Sequence, residues 1–249
     1  MNWKFLIGKS LFEIEQLIIR TDIKFVRNNF PFGRNWIYDV KRLLKEQPQI
    51  IVDAGANYGF VSKELSFWFP SAVVYAFEPV AHTFQKLCDN LAASNSVFLI
   101  NMALGEREHQ MDILLNPEHT INSLKNNPAN SVGQETINII RLDHFLQEKN
   151  IQSVNILKID VEGYEFEVLN GATALNIDVI LLEVGYEREP TKVHFSDVET
   201  YMEAKGYQLC GIYELTRNLN DKRKVTYSNN LYVRKEILEK KDDPLNSLN

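Results

Sequence analysis

The ten residues Ile50-Ile51-Val52-Asp53-Ala54-Gly55-Ala56-Asn57-Tyr58-Gly59 constrain the fold more than any other stretch of the chain. A short apolar run ends in an acid, closely spaced glycines follow, and Phe60-Val61-Ser62-Lys63-Glu64-Leu65 comes next. That order spells a buried strand, a tight turn and a helix. Gly55 and Gly59 carry no Cβ, so the turn can take unusual backbone angles and let a ligand lie against the main chain. The helix N-terminus behind them offers free N–H groups to it. On this reading Gly55→Val abolishes ligand binding while largely sparing the fold. The spacing Asp-x-Gly-x-Asn-x-Gly differs from the Gly-x-Gly-x-x-Gly that meets a pyrophosphate in dinucleotide-binding folds. Asp53, closing the strand, suits a ligand with a cationic group instead.

A chain of 249 residues, 45% of them hydrophobic, is long enough for one large domain with a substantial core. The formal charge of −6 and the lack of a long Lys/Arg block argue against a groove that tracks nucleic-acid phosphates. Cys88 and Cys210 lie far apart in no metal-ligand spacing and read as small packing residues in a reducing compartment. Trp3-Lys4-Phe5-Leu6-Ile7 is not read as a secretion signal. Lys4 and Lys9 break its apolar run, Glu13 and Glu15 follow, and no small-residue cleavage site is present. No run approaches the roughly 20 apolar residues that cross a bilayer. A cytoplasmic protein without a transmembrane segment is expected.

Phe5, Leu6, Leu11, Phe12, Ile14, Leu17 and Ile18 recur at helical spacing, so residues 1–20 are expected as a helix packed on the domain, with membrane-surface docking as the alternative. A second helix is expected over Asp39 to Gln47, stopped by Pro48. The chain thus divides into an N-terminal helical segment (1–47), a main domain (48–235) and a flexible tail (236–249). Strands are expected at 50–52, 73–77, 97–100, 154–159, 179–182, 207–213 and 226–233, alternating at first with helices at 60–69, 81–93, 164–174 and 198–205. Such alternation predicts an α/β domain with a mostly parallel sheet. Met111 to Leu115 and Thr136 to Ile140 also have strand character. The Asn/Pro-rich stretch Asn116 to Gly133 between them makes 109–140 an insertion or lid bordering the site.

In an open parallel α/β sheet, ligands bind beyond the carboxyl ends of the strands. That rule gathers Asp53, Glu78, Asn101, Asp160 and Glu183 at one edge. Four carboxylates there repel one another unless something cationic sits among them. Glu78, ending the second strand, is placed to accept both hydroxyls of a ribose, which marks an adenosine-type ligand but would serve NAD equally. Asn101 to Ala103 would border the adenine. The glycine turn favours S-adenosylmethionine (AdoMet), which carries an ammonium and a sulfonium.

At this point the chain resembles the FkbM family of AdoMet-dependent class I methyltransferases. The resemblance rests on Val52 to Gly59, Ala76-Phe77-Glu78-Pro79, Asn122-Ser123-Leu124, Arg141-Leu142-Asp143, Leu157-Lys158-Ile159-Asp160-Val161-Glu162-Gly163-Tyr164-Glu165, Val168 to Ala172 and Leu181-Leu182-Glu183-Val184. It implies a Rossmann-like fold with a seven-stranded, mostly parallel sheet and helices on both faces. It also implies an O-methyltransferase acting on hydroxyls of sugars, glycans, glycolipids or polyketide-type natural products. The expected cofactor residues are Asp53, Gly55, Asn57, Tyr58, Gly59, Glu78, Pro79, Asn101, Ala103 and Asp160.

Methyl transfer from a sulfonium is an in-line displacement, and an alcohol must lose its proton as it attacks. One of Asp160, Glu162 or Glu183 is expected as the base or as the group that orients the hydroxyl; Glu162 serving only as a helix cap is the bland reading. The same three carboxylates could hold a divalent cation such as Mg²⁺, though nothing in the sequence fixes six oxygen ligands. His119, His144 and His194 are weaker base candidates. Lys158 is expected to pair a carboxylate under the site, Ser123 to touch cofactor or substrate, and Glu165 and Glu167 to lie on a solvated helix face. The rival functions are a nicotinamide-dependent oxidoreductase, a nucleic-acid methyltransferase and a non-catalytic AdoMet-binding protein. The expected partner is a small-molecule or glycan acceptor rather than nucleic acid; a homodimer is compatible with the sequence, which does not fix the oligomeric state.

Overall fold

A computed structural model describes residues 30–44, 46–115, 131 and 133–239. The expected helix in residues 1–20, most of the Asn/Pro-rich loop with His119 and Ser123, and the end of the tail lie outside the described residues.

Helix α1 (Trp36–Leu43) opens three residues earlier than its apolar pattern suggested, because the Asn35 side chain caps it by accepting the Tyr38 N–H at 3.0 Å. Leu44 is already extended, so the helix stops before Pro48 is reached. Its Asp39 is fully buried, where it accepts the Gly33 N–H and the Tyr213 hydroxyl at 2.7 Å each and pairs with Arg42.

Strand β1 (Ile50–Ala54) leads through the glycine turn into α2 (Phe60–Trp68), β2 (Val73–Phe77), α3 (Ala81–Leu91) and β3 (Val97–Ile100). After a small sheet, the alternation resumes with α4 (Leu142–Gln147), β7 (Ser153–Ile159), α5 (Glu165–Asn170), β8 (Asn176–Gly185) and α6 (Phe195–Ala204). The domain ends with β9 (Tyr207–Arg217), β10 (Val225–Arg234) and a short α7 (Lys235–Leu238). The main sheet has seven strands in the order β3-β2-β1-β7-β8-β10-β9. β3, β2, β1, β7 and β8 run parallel, and β10 is antiparallel to both of its neighbours. This is the mostly parallel, helix-covered α/β sheet expected from the sequence.

Two-residue periodicity assigns the faces. Ile51, Val74, Ile156 and Val179 point into a core closed by Tyr38 and Val40 of α1, Leu65 and Trp68 of α2, and Leu87 and Leu91 of α3. Val52, Tyr75, Leu157 and Ile180 point the other way, into a core closed by Leu142 and Leu146 of α4, Val168 of α5, and Val198 and Met202 of α6. The N-terminal segment thus contributes a helix to the domain's own core. Both faces being covered explains why the central strands read as continuous apolar runs.

Residues 103–140 fold as a second sheet, β4 (Ala103–Leu104), β5 (His109–Leu115) and β6 (Gly133–Ile140), in the order β4-β6-β5. The strand character expected near 111–115 and 136–140 is therefore present as an antiparallel pair. Ala103 and Leu104, for which no strand was expected, form the third strand, parallel to β6. This sheet packs Ile113, Ile137 and Ile139 with Val80, beside the carboxyl ends of the main strands.

Candidate active site

Register fixes the site's layout. Asp53 on β1 lies opposite Lys158 on β7, and Ile159 lies opposite Leu182, so Asp160 and Glu183 leave their strands side by side. Phe77 ends β2 one residue before Glu78. The carboxyl edge opens onto a cavity of about 310 Å³. Glu78 and Pro79 line one end, Lys158, Asp160 and Glu162 the other, and Val80, Met102, Ala103 and Ile113 an apolar wall; the turn Gly55 to Tyr58 runs between the two ends and touches both. Phe60, 72% exposed, stands at the cavity's margin.

The turn is pinned to β2, since the Gly55 and Ala56 N–H groups donate to the Phe77 carbonyl at 3.0 and 2.9 Å. Gly55, Asn57 and Gly59 have φ of 79°, 50° and 84°, the left-handed region that glycine adopts without cost. A Cβ on Gly55 would lie 1.9 Å from the Asp160 carbonyl oxygen. One on Gly59 would lie 2.5 Å from Leu87 Cδ1. Gly55 is therefore demanded by close backbone packing, and Gly59 by its left-handed φ. The expectation that a valine at 55 spares the fold is corrected accordingly.

Glu78 is 7% exposed and held by two backbone N–H groups: Oε2 accepts the Asn57 N–H at 3.1 Å and Oε1 the Val80 N–H at 3.0 Å. Burial pushes its carboxyl up to about 7, against the pull of those two N–H groups and of Lys158. Asn101 does not line the cavity. Its Nδ2 donates to the Glu78 and Pro79 carbonyls at 2.9 Å each, bracing the segment that carries the acid.

At the other end the acids come with their own cations. Lys158 Nζ lies 3.3 Å from Asp53 Oδ1 and 3.4 Å from Asp160 Oδ2, and donates to the Gly55 carbonyl at 3.2 Å. This is the pairing expected of it beneath the site. Burial would lower the Lys158 pKa, but the two carboxylates outweigh it and raise it. Asp53 is 0% exposed, outside the cavity wall, and accepts the Ser62 hydroxyl at 2.6 Å. Its side chain is occupied with Lys158 and Ser62 rather than turned toward a ligand. Removing one partner of such a buried pair costs about 3–5 kcal/mol.

Lys192, which sequence reasoning did not single out, bridges Glu162 at 2.6 Å and Glu183. Carboxylate oxygens of Asp160, Glu162 and Glu183 lie within 4.8 Å of one another. Burial and the neighbouring Asp160 push Glu183 up to about 8, against the pull of Lys192, and burial also raises Glu162. Asp160, 38% exposed, and Glu162 line the cavity, whereas Glu183 stands behind them. Glu162 has a φ of 54° and is followed by Gly163 at 99°. A non-glycine residue in that region is strained by about 1–3 kcal/mol, so the surroundings must hold it there.

Glu165 supplies part of that hold and corrects a second expectation. Far from being solvated, it is fully buried, and its Oε1 accepts the Val161 and Gly163 N–H groups at 3.3 and 3.1 Å. Burial pushes it up to about 7. Glu167 is half-buried rather than exposed. His144 pairs with Glu108, His194 caps α6, and neither lines the cavity. Of the apolar wall, Met102 and Ala103 fall in the stretch expected to border the adenine, whereas Val80 and Ile113 escaped the sequence reading because they carry no reactive group.

A cavity at the carboxyl edge of a mostly parallel α/β sheet, closed by strand-end acids, is where such a fold binds its ligands, and the family match makes the class a methyltransferase. Residues 53–209 match the methyltransferase FkbM domain, and the chain belongs to that family. Methyltransferase 1 of Beauveria bassiana is 31% identical over 178 residues, 63% of this chain and 71% of that protein. The hexuronic acid methyltransferase AglP of Haloferax volcanii is 31% identical over 160 residues, 62% of this chain and 65% of AglP. The 2-O-methyltransferase NoeI of Sinorhizobium fredii is 22% identical over 144 residues, 52% of this chain and 59% of NoeI. Family membership sets aside the nicotinamide-dependent alternative. No helix among the described residues is long and apolar enough to cross a membrane.

Proposed function

We propose that the protein is an AdoMet-dependent O-methyltransferase acting on a hydroxyl of a sugar, a glycan or a polyketide-type natural product. The observation that carries this reading is one cavity with a backbone-held carboxylate, Glu78, at one end and two acids, Asp160 and Glu162, at the other. Its volume of about 310 Å³ falls within the range of small-molecule sites. The residues fit the cofactor chemically. Glu78 offers acceptor oxygens to ribose hydroxyls, Val80, Met102, Ala103 and Ile113 offer apolar contact to a flat base, and the backbone from Gly55 to Tyr58 accommodates the amino-acid end. Asp53 and Asn101 serve indirectly, by holding Lys158 and the Glu78 segment. When bound, AdoMet supplies an electrophilic methyl group on its sulfonium.

The chain's own part is to orient the acceptor hydroxyl and take its proton. Asp160 is the proposed base, since its carboxylate is the most open of the three acids and faces the cavity. Glu162, tied to Lys192, orients the hydroxyl, and Glu183 supports both from behind. Similarity to AglP, a hexuronic acid methyltransferase, favours a sugar among the acceptors, and similarity to NoeI, a 2-O-methyltransferase, favours an oxygen.

Calorimetry with AdoMet and NAD, followed by a methyl-transfer screen against uronic acids, other sugars and hydroxylated natural products with the product identified by mass, tests the reading. AdoMet binding and a methylated hydroxyl are expected. Tight NAD binding without AdoMet binding would end it, and AdoMet binding with no transfer to any acceptor would favour a non-catalytic protein.

A further inference from the structure

The segment between β8 and α6 is shaped to deliver one side chain. A Cβ on Gly163 would lie 2.4 Å from the Pro190 carbonyl oxygen, and one on Gly185 would lie 2.8 Å from Lys192 Cβ. Glycine at both positions lets residues 190–192 settle against the Glu162–Gly163 turn. The Gly185 N–H donates to the Val193 carbonyl at 2.8 Å, which fixes the far side of the segment. Lys192 enters with a side chain only 10% exposed and ion-pairs with both Glu162 and Glu183.

Those two acids and Asp160 present oxygens at a spacing suited to a shared divalent ion. An ammonium already sits on two of the three. A cation between the same oxygens would have to displace it, so the residues present do not fit a resident metal.

We propose that Lys192 is a positioning residue that takes the place of a divalent cation. It neutralises Glu162 and Glu183, holds Glu162 in its left-handed conformation and keeps Asp160 as the open acid. The catalytic consequence rests on the proposed methyl transfer; the consequence for cation binding does not.

The experiment uses the full chain and its Lys192→Met and Lys192→Arg variants, with Mn²⁺ titrated by calorimetry and melting temperature followed in parallel. Wild type should show no Mn²⁺ binding and no stabilisation at millimolar Mn²⁺. Lys192→Met, left with three facing carboxylates, should gain both, and Lys192→Arg should behave as wild type. On an identified acceptor, Lys192→Met should lower kcat about 10–100-fold with AdoMet affinity unchanged, because Lys192 does not line the cavity. Lys192→Arg should restore most of the loss. Stoichiometric Mn²⁺ binding by wild type would overturn the proposal, as would a Lys192→Met protein that folds but neither binds Mn²⁺ nor loses turnover. If Lys192→Met folds only with Mn²⁺ added, the substitution of lysine for metal is supported directly. Failure of wild type to bind AdoMet would count against the proposed function and leave the Mn²⁺ comparison standing.

Discussion

The two ends of the cavity are held by different forces. At the Glu78 end, two backbone N–H groups grip the carboxylate and an asparagine braces its carbonyl. At the Asp160 end, four acids interleave with two lysines, and the backbone carries strain at Glu162. Backbone hydrogen bonds are fixed once the strands register, so the first end is rigid by construction of the fold. Ion pairs respond to protonation and to the loss of one partner, so the second end can be retuned residue by residue. On the proposed function the rigid end takes the cofactor and the adjustable end the acceptor, a division that would let acceptor choice change while the fold stays the same.

Substitutions can break or sharpen that contrast. The largest effect is expected at the point where the ends touch. Gly55→Ala should cost about 2–6 kcal/mol through positive φ and the clash with the Asp160 carbonyl. Urea unfolding reads it; a protein of unchanged stability would mean the turn and the Asp160 segment are not in contact. Next, Asp160→Asn should lower kcat about 10²–10⁴-fold while changing AdoMet affinity little. Equal losses in both would erase the distinction between the ends. Glu78→Ala should do the reverse, weakening AdoMet by about 1–3 kcal/mol with a smaller effect on kcat at saturating cofactor.

The last effect is a pH dependence, which vanishes at low pH. Folding raises Glu165 from 4.5 to about 7, so the folded protein keeps a proton that the unfolded chain has lost. That contribution is full below pH 4.5 and disappears as pH rises through about 7. Glu165→Gln keeps an acceptor for Val161 and Gly163 without ionising. It should therefore melt above wild type near pH 8, by up to about 3 kcal/mol, and with it near pH 4.5. A constant gap across that range would place the acid in a polar environment after all.

How much of this was legible depends on distance along the chain. The glycine turn, Glu78, Asp160 and Glu162 lie in contiguous runs whose strand-end positions follow from the alternation of β and α. Lys158 was placed beneath the site because it interrupts an apolar strand that must bury it. Lys192 had no such signal. It belongs to a stretch without apolar periodicity, and only the fold brings it 30 residues back to Glu162. Glu165 was misjudged for a related reason. A glutamate in a helix's first turn is usually solvated, and only the left-handed turn at 162–163 brings two backbone N–H groups onto its side chain. Asn101 was placed correctly at a strand end, but its amide turns onto the Glu78 and Pro79 carbonyls just past the neighbouring strand and does not line the cavity.

The contact between Asp39 and Tyr213 joins positions 174 residues apart. On a ribosome, α1 emerges long before β9, and until Tyr213 arrives a buried acid in α1 lacks its hydroxyl donor. The first described helix should therefore be among the last elements of the domain to lock, only after β9 has been made. Pulse-labelled hydrogen exchange during refolding should find the amides of residues 36–43 protected later than those of the central strands.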